Sequence, residues 1–140
     1  MKILVIGSSN TEMIFQAPGI PADGETVLGS AFSMSPGGSG VNQAIAAARA
    51  GGEVLYIGRT GNDLFGEQVM QVLQKDQVDT SFVKRDHSLA SGISSIVVDA
   101  KGESGITITP GANMKLSDKD VLKTKSILSS EAIVLLQLDI

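Results

Sequence analysis

The run Pro36-Gly37-Gly38-Ser39-Gly40-Val41-Asn42-Gln43 is a glycine-dense turn that leads into a helix of small residues, Ala44 to Gly51, with one carboxamide, Asn42, at the junction. Glycines without Cβ let a backbone come within hydrogen-bond reach of a ligand. The first N–H groups of a helix lack partners inside it and point outward. A carboxamide adds a donor and an acceptor in one side chain, which suits a neutral polyhydroxyl ligand. The spacing therefore describes a small-molecule site on a loop-to-helix turn. The same residues also suit an ordinary helix start with Asn42 as the N-cap, and local shape leaves both readings open. No Gly-Lys-Ser/Thr ending makes this a P-loop, and the third glycine of a dinucleotide fingerprint is missing.

Further motifs surround this turn. Gly7-Ser8-Ser9-Asn10-Thr11-Glu12 closes a first apolar strand, and Pro21-Ala22-Asp23-Gly24-Glu25-Thr26-Val27 precedes the glycine loop. Gly58-Arg59-Thr60-Gly61-Asn62-Asp63-Leu64-Phe65-Gly66 follows it, then Ser91-Gly92-Ile93, Gly102-Glu103-Ser104 and Pro110-Gly111-Ala112-Asn113. This ordered set resembles the N-terminal part of ribokinase and its carbohydrate-kinase relatives of the phosphofructokinase-B type, over essentially all 140 residues.

The elements that must position these residues can be read from apolar patterning. Ile3-Leu4-Val5-Ile6 and Val54-Leu55-Tyr56-Ile57 are continuous apolar runs of the kind buried on both faces of a parallel sheet. Val41, Ala44, Ile45 and Ala48 form one helical stripe; Phe65, Val69, Val72 and Leu73 form another. Such alternation favours an open, mainly parallel sheet flanked by helices. Phe32 and Met34 alternate with Ser33 and Ser35, and Glu25-Thr26-Val27-Leu28 is expected to pair with that strand across Gly29-Ser30. Ile93–Val98 and Gly105–Thr109 flank the turn Asp99-Ala100-Lys101-Gly102 as a β-hairpin. Ser117-Asp118-Lys119-Asp120 reads as a capping box before a helix that buries Val121, Leu122 and Leu128. Ile133-Val134-Leu135-Leu136 reads as a third buried-type strand, part of whose surface is left wet because no further element follows.

Composition sets bounds. With 42% hydrophobic and 19% charged residues, the 140-residue chain has an ordinary globular make-up and the length of one domain. A formal charge of −4 and scattered cations argue against nucleic acid and anionic membranes. The absence of cysteine excludes disulfides and thiolate metal sites and fits a reducing compartment. No apolar run approaches the ~20 residues needed to span a bilayer, so a soluble, cytoplasmic protein is expected. The single histidine, His87, sits in a polar run and reads as a solvated loop residue. Tyr56 and the methionines Met13, Met34, Met70 and Met114 read as packing.

The resemblance implies more than patterning does. It implies a ribokinase-like α/β fold, truncated to the N-terminal part of the domain over 1–140, with a small antiparallel β lid from segments near 15–35 and 91–110. It implies ATP-dependent phosphorylation of a sugar hydroxyl, with ATP and Mg2+ as cofactors, and a homodimer paired through the lid. The sugar-side positions it implies are Asn10, Glu12, Gly38, Ser39, Asn42 and Asp139. Three depart from the ribokinase pattern: Glu12 stands where aspartate is usual, Ser39 where lysine is usual, and Asp139 where glutamate is usual. The substrate class is then a sugar, with ribose itself open. The family's Gly-Ala-Gly-Asp segment, which supplies the anion hole and catalytic aspartate, does not occur in the chain. No catalytic residue is therefore assigned, and Asp63 reads as a helix-start acid rather than a substitute base. The expectation is a sugar-binding half that is inactive alone. The alternatives are a non-catalytic sugar-binding or dimerisation module, or a truncated gene remnant.

Overall fold

The computed structural model describes residues 2–125, 127 and 132–138. Two four-stranded sheets make up the structure. The first uses β1 (Lys2–Ile6), β4 (Glu53–Gly61), β5 (Asp79–Asp86) and β8 (Ile133–Leu136), in the order β5-β4-β1-β8 with every pair parallel. Because side chains alternate along a strand, Val5, Val54 and Tyr56 share one face, beneath α1 (Ser39–Arg49) and α2 (Leu64–Lys75). Leu4, Ile6, Leu55 and Ile57 form the opposite face, against Phe82, Leu116 and Val121. Both faces are buried, as the continuous apolar runs require.

Each covering helix has a cause in the sequence. The Val41 and Ala44 side chains on α1 are fully buried, with Ile45 and Ala48 packed beside them. Val69 and Leu73 play the same part on α2. Asp63 caps α2, its Oδ1 accepting the Gly66 N–H at 2.9 Å. The short helix α3 (Asp118–Leu122) starts on the expected capping box of Ser117 and Asp120.

The second sheet has the order β3-β2-β6-β7, from β2 (Asn10–Gln16), β3 (Ala31–Gly37), β6 (Gly92–Val98) and β7 (Ser104–Thr109). It is mixed: β2–β3 and β6–β7 are antiparallel, and β2–β6 is parallel. The expected hairpin at Asp99–Gly102 is present, closed by Gly102 N–H to Asp99 O at 3.0 Å.

Two expectations are corrected. Glu25–Leu28 is not a strand; β3 pairs instead with β2, Met34 opposite Met13. Glu25 is spent on a local turn, where its Oε2 accepts from Ala22 N–H at 2.8 Å and its own N–H donates to Ala22 O. Leu122 is 61% exposed rather than buried, because α3 is only five residues long and turns Val121 inward; Leu128 lies outside the described residues. As expected, part of the surface of β8 is left wet: among the described residues it pairs with β1 alone, Leu135 packs against the core and Leu136 is exposed. Among the described residues, no helix is long and apolar enough to cross a membrane.

Candidate functional site

A polar layer lies at the carboxyl end of β1, where the chain crosses from one sheet to the other. Ser8, Ser9, Asn10 and Thr11 are all buried there. Such a layer is stable only if most of its polar groups are paired, and here the Thr11 hydroxyl has no partner among the described residues. Ser8 N–H donates to Gln137 Oε1 at 2.8 Å, and Ser9 Oγ donates to the Arg59 carbonyl at 2.7 Å. Below them, the buried Tyr56 hydroxyl donates to Gly7 O at 2.6 Å.

The glycine turn closes over this layer. A Cβ on Gly40 would stand 2.6 Å from the Gly7 carbonyl carbon, so helix α1 crosses the β1 turn backbone to backbone. Gly38, the N-cap of α1, has φ 92°, a left-handed conformation that favours glycine. Asn42 is therefore not the cap: it stands in the first turn, exposed, with its carboxamide beside the cleft. The Val41 N–H is taken by Ser8 O at 3.2 Å, while those of Ser39 and Gly40 have no acceptor within the helix.

Between the turn and the second sheet is a cleft of ≈ 220 Å³. It is smaller than the roughly 300–1,000 Å³ typical of drug-sized ligands, a scale that suits one small molecule. Asn10, Glu12, Gly38, Ser39 and Asn42 all line it. The pleat explains part of this convergence: Asn10 and Glu12, two apart on β2, share a face with Ser94 and Ile96 on β6 and with Ile106 and Ile108 on β7. Glu12 Oε1 accepts the Gly38 N–H at 3.3 Å, which ties the sheet to the turn. The sixth sequence-derived position, Asp139, lies outside the described residues.

Two lining residues carried no site role in the sequence reading. Ser94 Oγ accepts from Asn10 Nδ2 at 3.2 Å. Asn113, in the 3-10 turn Gly111–Lys115, bonds both Ser9 and Asn10. Its signal was present in Pro110-Gly111-Ala112-Asn113, but only the fold brings that turn 103 residues back to Asn10.

Among the described residues, Glu12 is the one ionisable side chain that lines the cleft, and no lysine or arginine does. Hydroxyls, carboxamides and one acceptor-only carboxylate match a neutral polyol. They do not suit a triphosphate, which needs cations or a set of backbone donors around its oxygens. Among the described residues, no group of three or more His, Cys, Asp or Glu could hold a metal ion.

Asp63 is engaged as an acceptor at the start of α2. Its carboxylate accepts from Gly66 N–H, Ser91 N–H (2.8 Å) and Ser91 Oγ (2.7 Å). Partial burial works against its ionisation, but the Ser91 and Gly66 donors outweigh it and hold the carboxyl below its ordinary range. Asp120 is similar. Burial opposes its charge, and Lys84 and Arg59 overcome that, bringing it down to about 2. Arg59 donates to Asp120 Oδ2 from Nε at 3.0 Å and from Nη2 at 2.8 Å, anchoring α3 at the carboxyl ends of β4 and β5.

Comparison with known proteins gives this geometry a context. The model of the pfkB family carbohydrate kinases matches residues 1–138. The chain is 33% identical over 138 residues to mouse ribokinase, covering 99% of itself and 43% of that protein. It is 34% identical over 140 residues to Salmonella typhi deoxyribokinase, covering 100% of itself and 46% of that protein. The solved ribokinase of Cryptococcus neoformans in complex with ADP superposes with a TM-score of 0.83 at 33% identity, over 98% of this chain and 42% of that one. The chain thus spans a little under half the length of the curated relatives it matches.

Proposed function

This chain belongs to the pfkB family of carbohydrate kinases, and from that premise we propose that its cleft is the sugar side of a ribokinase-like, ATP-dependent sugar kinase. Asn10, Glu12, Ser39 and Asn42 would bond the hydroxyls, with Gly38 letting the backbone approach, and Asp139 would close the set. The observation that carries this reading is the convergence of five residues, from one strand and the glycine turn that opens α1, on one cleft whose described lining has no lysine or arginine. ATP with Mg2+ would be held by polypeptide corresponding to the part of the relatives that this chain does not match. That division agrees with the absence of Gly-Ala-Gly-Asp from the sequence and of lysine and arginine from the cleft lining. A phosphoryl-transfer site depends on such cationic and backbone donors, so the 140 residues alone would bind sugar without turning it over. A cytoplasmic setting fits the cysteine-free sequence.

The test is titration calorimetry with ribose, 2-deoxyribose and a panel of hexoses, each with and without ATP. Saturable sugar binding that ignores ATP is expected. No binding across the panel, or phosphorylation by the 140-residue chain alone, would refute the reading.

A second reading, a homodimer paired through the second sheet, is favoured by Phe32 on one face of the sheet and by Ile106 and Ile108 on the cleft face, each more than half exposed. Sedimentation equilibrium would find a dimer that Phe32→Glu or Ile106→Glu dissociates. A monomer at every concentration would exclude it.

A further inference from the structure

The hydrogen-bonding sense of the cleft's polar groups is fixed by the backbone around Asn113. Asn113 is 2% exposed and hydrogen-bonds two backbone segments. The Ser9 N–H can only donate, so the atom it meets at 2.9 Å must be Asn113 Oδ1. The Ser9 and Pro110 carbonyls can only accept, so Nδ2 must be the atom that meets each of them at 2.9 Å. Three backbone groups therefore fix which way the Asn113 amide faces. Nδ2 also stands 2.9 Å from Asn10, whose only acceptor is Oδ1; with two hydrogens for three acceptors, Nδ2 shares one of them in a three-centre bond.

From this chain of constraints we propose that Asn113 is a positioning residue that sets the hydrogen-bonding sense of Asn10. With its oxygen held by Asn113, Asn10 turns its Nδ2 toward Ser94 Oγ. One of the two Nδ2 hydrogens is spent there, and the other remains as a donor at the cleft. Asn10 then serves a ligand hydroxyl as a donor, while Glu12 on the same strand face serves as an acceptor. The two side chains would read opposite ends of neighbouring hydroxyls. Gly92 is the enabling residue. A Cβ there would fall inside contact distance of Asn10 Oδ1, and at 2.5 Å from Asn113 Nδ2, wedging the pair apart.

The role in sugar selection rests on the proposed sugar reading; the orientation does not. The orientation is tested by NMR on the 140-residue chain, through scalar coupling across the hydrogen bond. Coupling from Asn113 Nδ2 to Asn10 Cγ is expected; coupling from Asn10 Nδ2 to Asn113 Cγ, or none, would overturn the proposal. Selection is tested with a series of single-deoxy sugars. In the wild type, one deoxy position should weaken binding about tenfold, the loss of one well-made hydrogen bond. Asn113→Asp, and independently Gly92→Ala, should abolish that one ratio and leave the ratios at other positions unchanged. A uniform loss for all sugars would assign Asn113 a structural role only and overturn the proposal. If Asn113→Asp fails to fold, Gly92→Ala and the wild-type coupling still decide. Coupling in the expected sense with no sugar bound would support the orientation and refute the sugar reading alone.

Discussion

The two sheets of this molecule use similar residues to opposite ends. In the first, Leu4, Val5, Tyr56 and Ile57 are sealed between helices on one side and the α3 region on the other. In the second, Ile106 and Ile108 on the cleft face and Phe32 on the opposite face remain more than half exposed, and Asn10, Glu12 and Ser94 share the cleft face with the two isoleucines. Isoleucine in a strand means stability in one sheet and an available surface in the other. The difference lies in what covers the strand, not in the strand. The first sheet should therefore carry the folding free energy, and the second the recognition.

That division can be broken in several places, in order of expected effect. Leu73→Ala, which empties a fully buried site under the first sheet, should cost about 2–5 kcal/mol in denaturant unfolding. A much smaller loss would mean that the core is not concentrated there. Asp120→Asn should cost about 1–3 kcal/mol by stripping Arg59 and Lys84 of their partner. It also carries a pH signature. The Asp120 carboxyl titrates at about 2 in the folded chain and at about 3.9 when unfolded, so its contribution is complete above pH 4 and disappears as pH falls towards 2. The variant's acid unfolding curve should be flatter across that window. Asn42→Ala should lower sugar affinity about tenfold and leave stability within about 0.5 kcal/mol; matched losses in both would blur the division. Ile108→Ser should do least, within about 0.5 kcal/mol of wild-type stability, because its side chain is already wet.

Much of this was legible beforehand, and the gaps have physical causes. β1, β4, α1 and α2 are readable because a sheet buried on both faces forces unbroken apolar runs and helical stripes on the sequence. Five of the cleft residues could be named because the family resemblance implies them; local residue types alone suggested the glycine turn and Asn42. β5 was missed because Asp79–Asp86 is a polar edge strand, with only Phe82 and Val83 packed inward. Thr26 and Val27 suggested a strand whose partner is in fact taken, since β3 finds β2 across residues 17–30. Asn113 was invisible as a cleft residue for the opposite reason. Its work is done across 103 and 104 residues of sequence, a separation that no short window spans.

The burial of Tyr56 gives the molecule a native optical reporter. The chain has no tryptophan and one tyrosine, whose hydroxyl is anchored to the Gly7 carbonyl, one residue before Ser8 in the cleft floor. Its fluorescence and ultraviolet absorbance thus come from one known point, without any label. Burial pushes its ionisation well above the ordinary tyrosine range, so the phenolate band in an alkaline titration should rise only when that floor opens. Ligand occupancy above, and helix packing below, become measurable in a single cuvette.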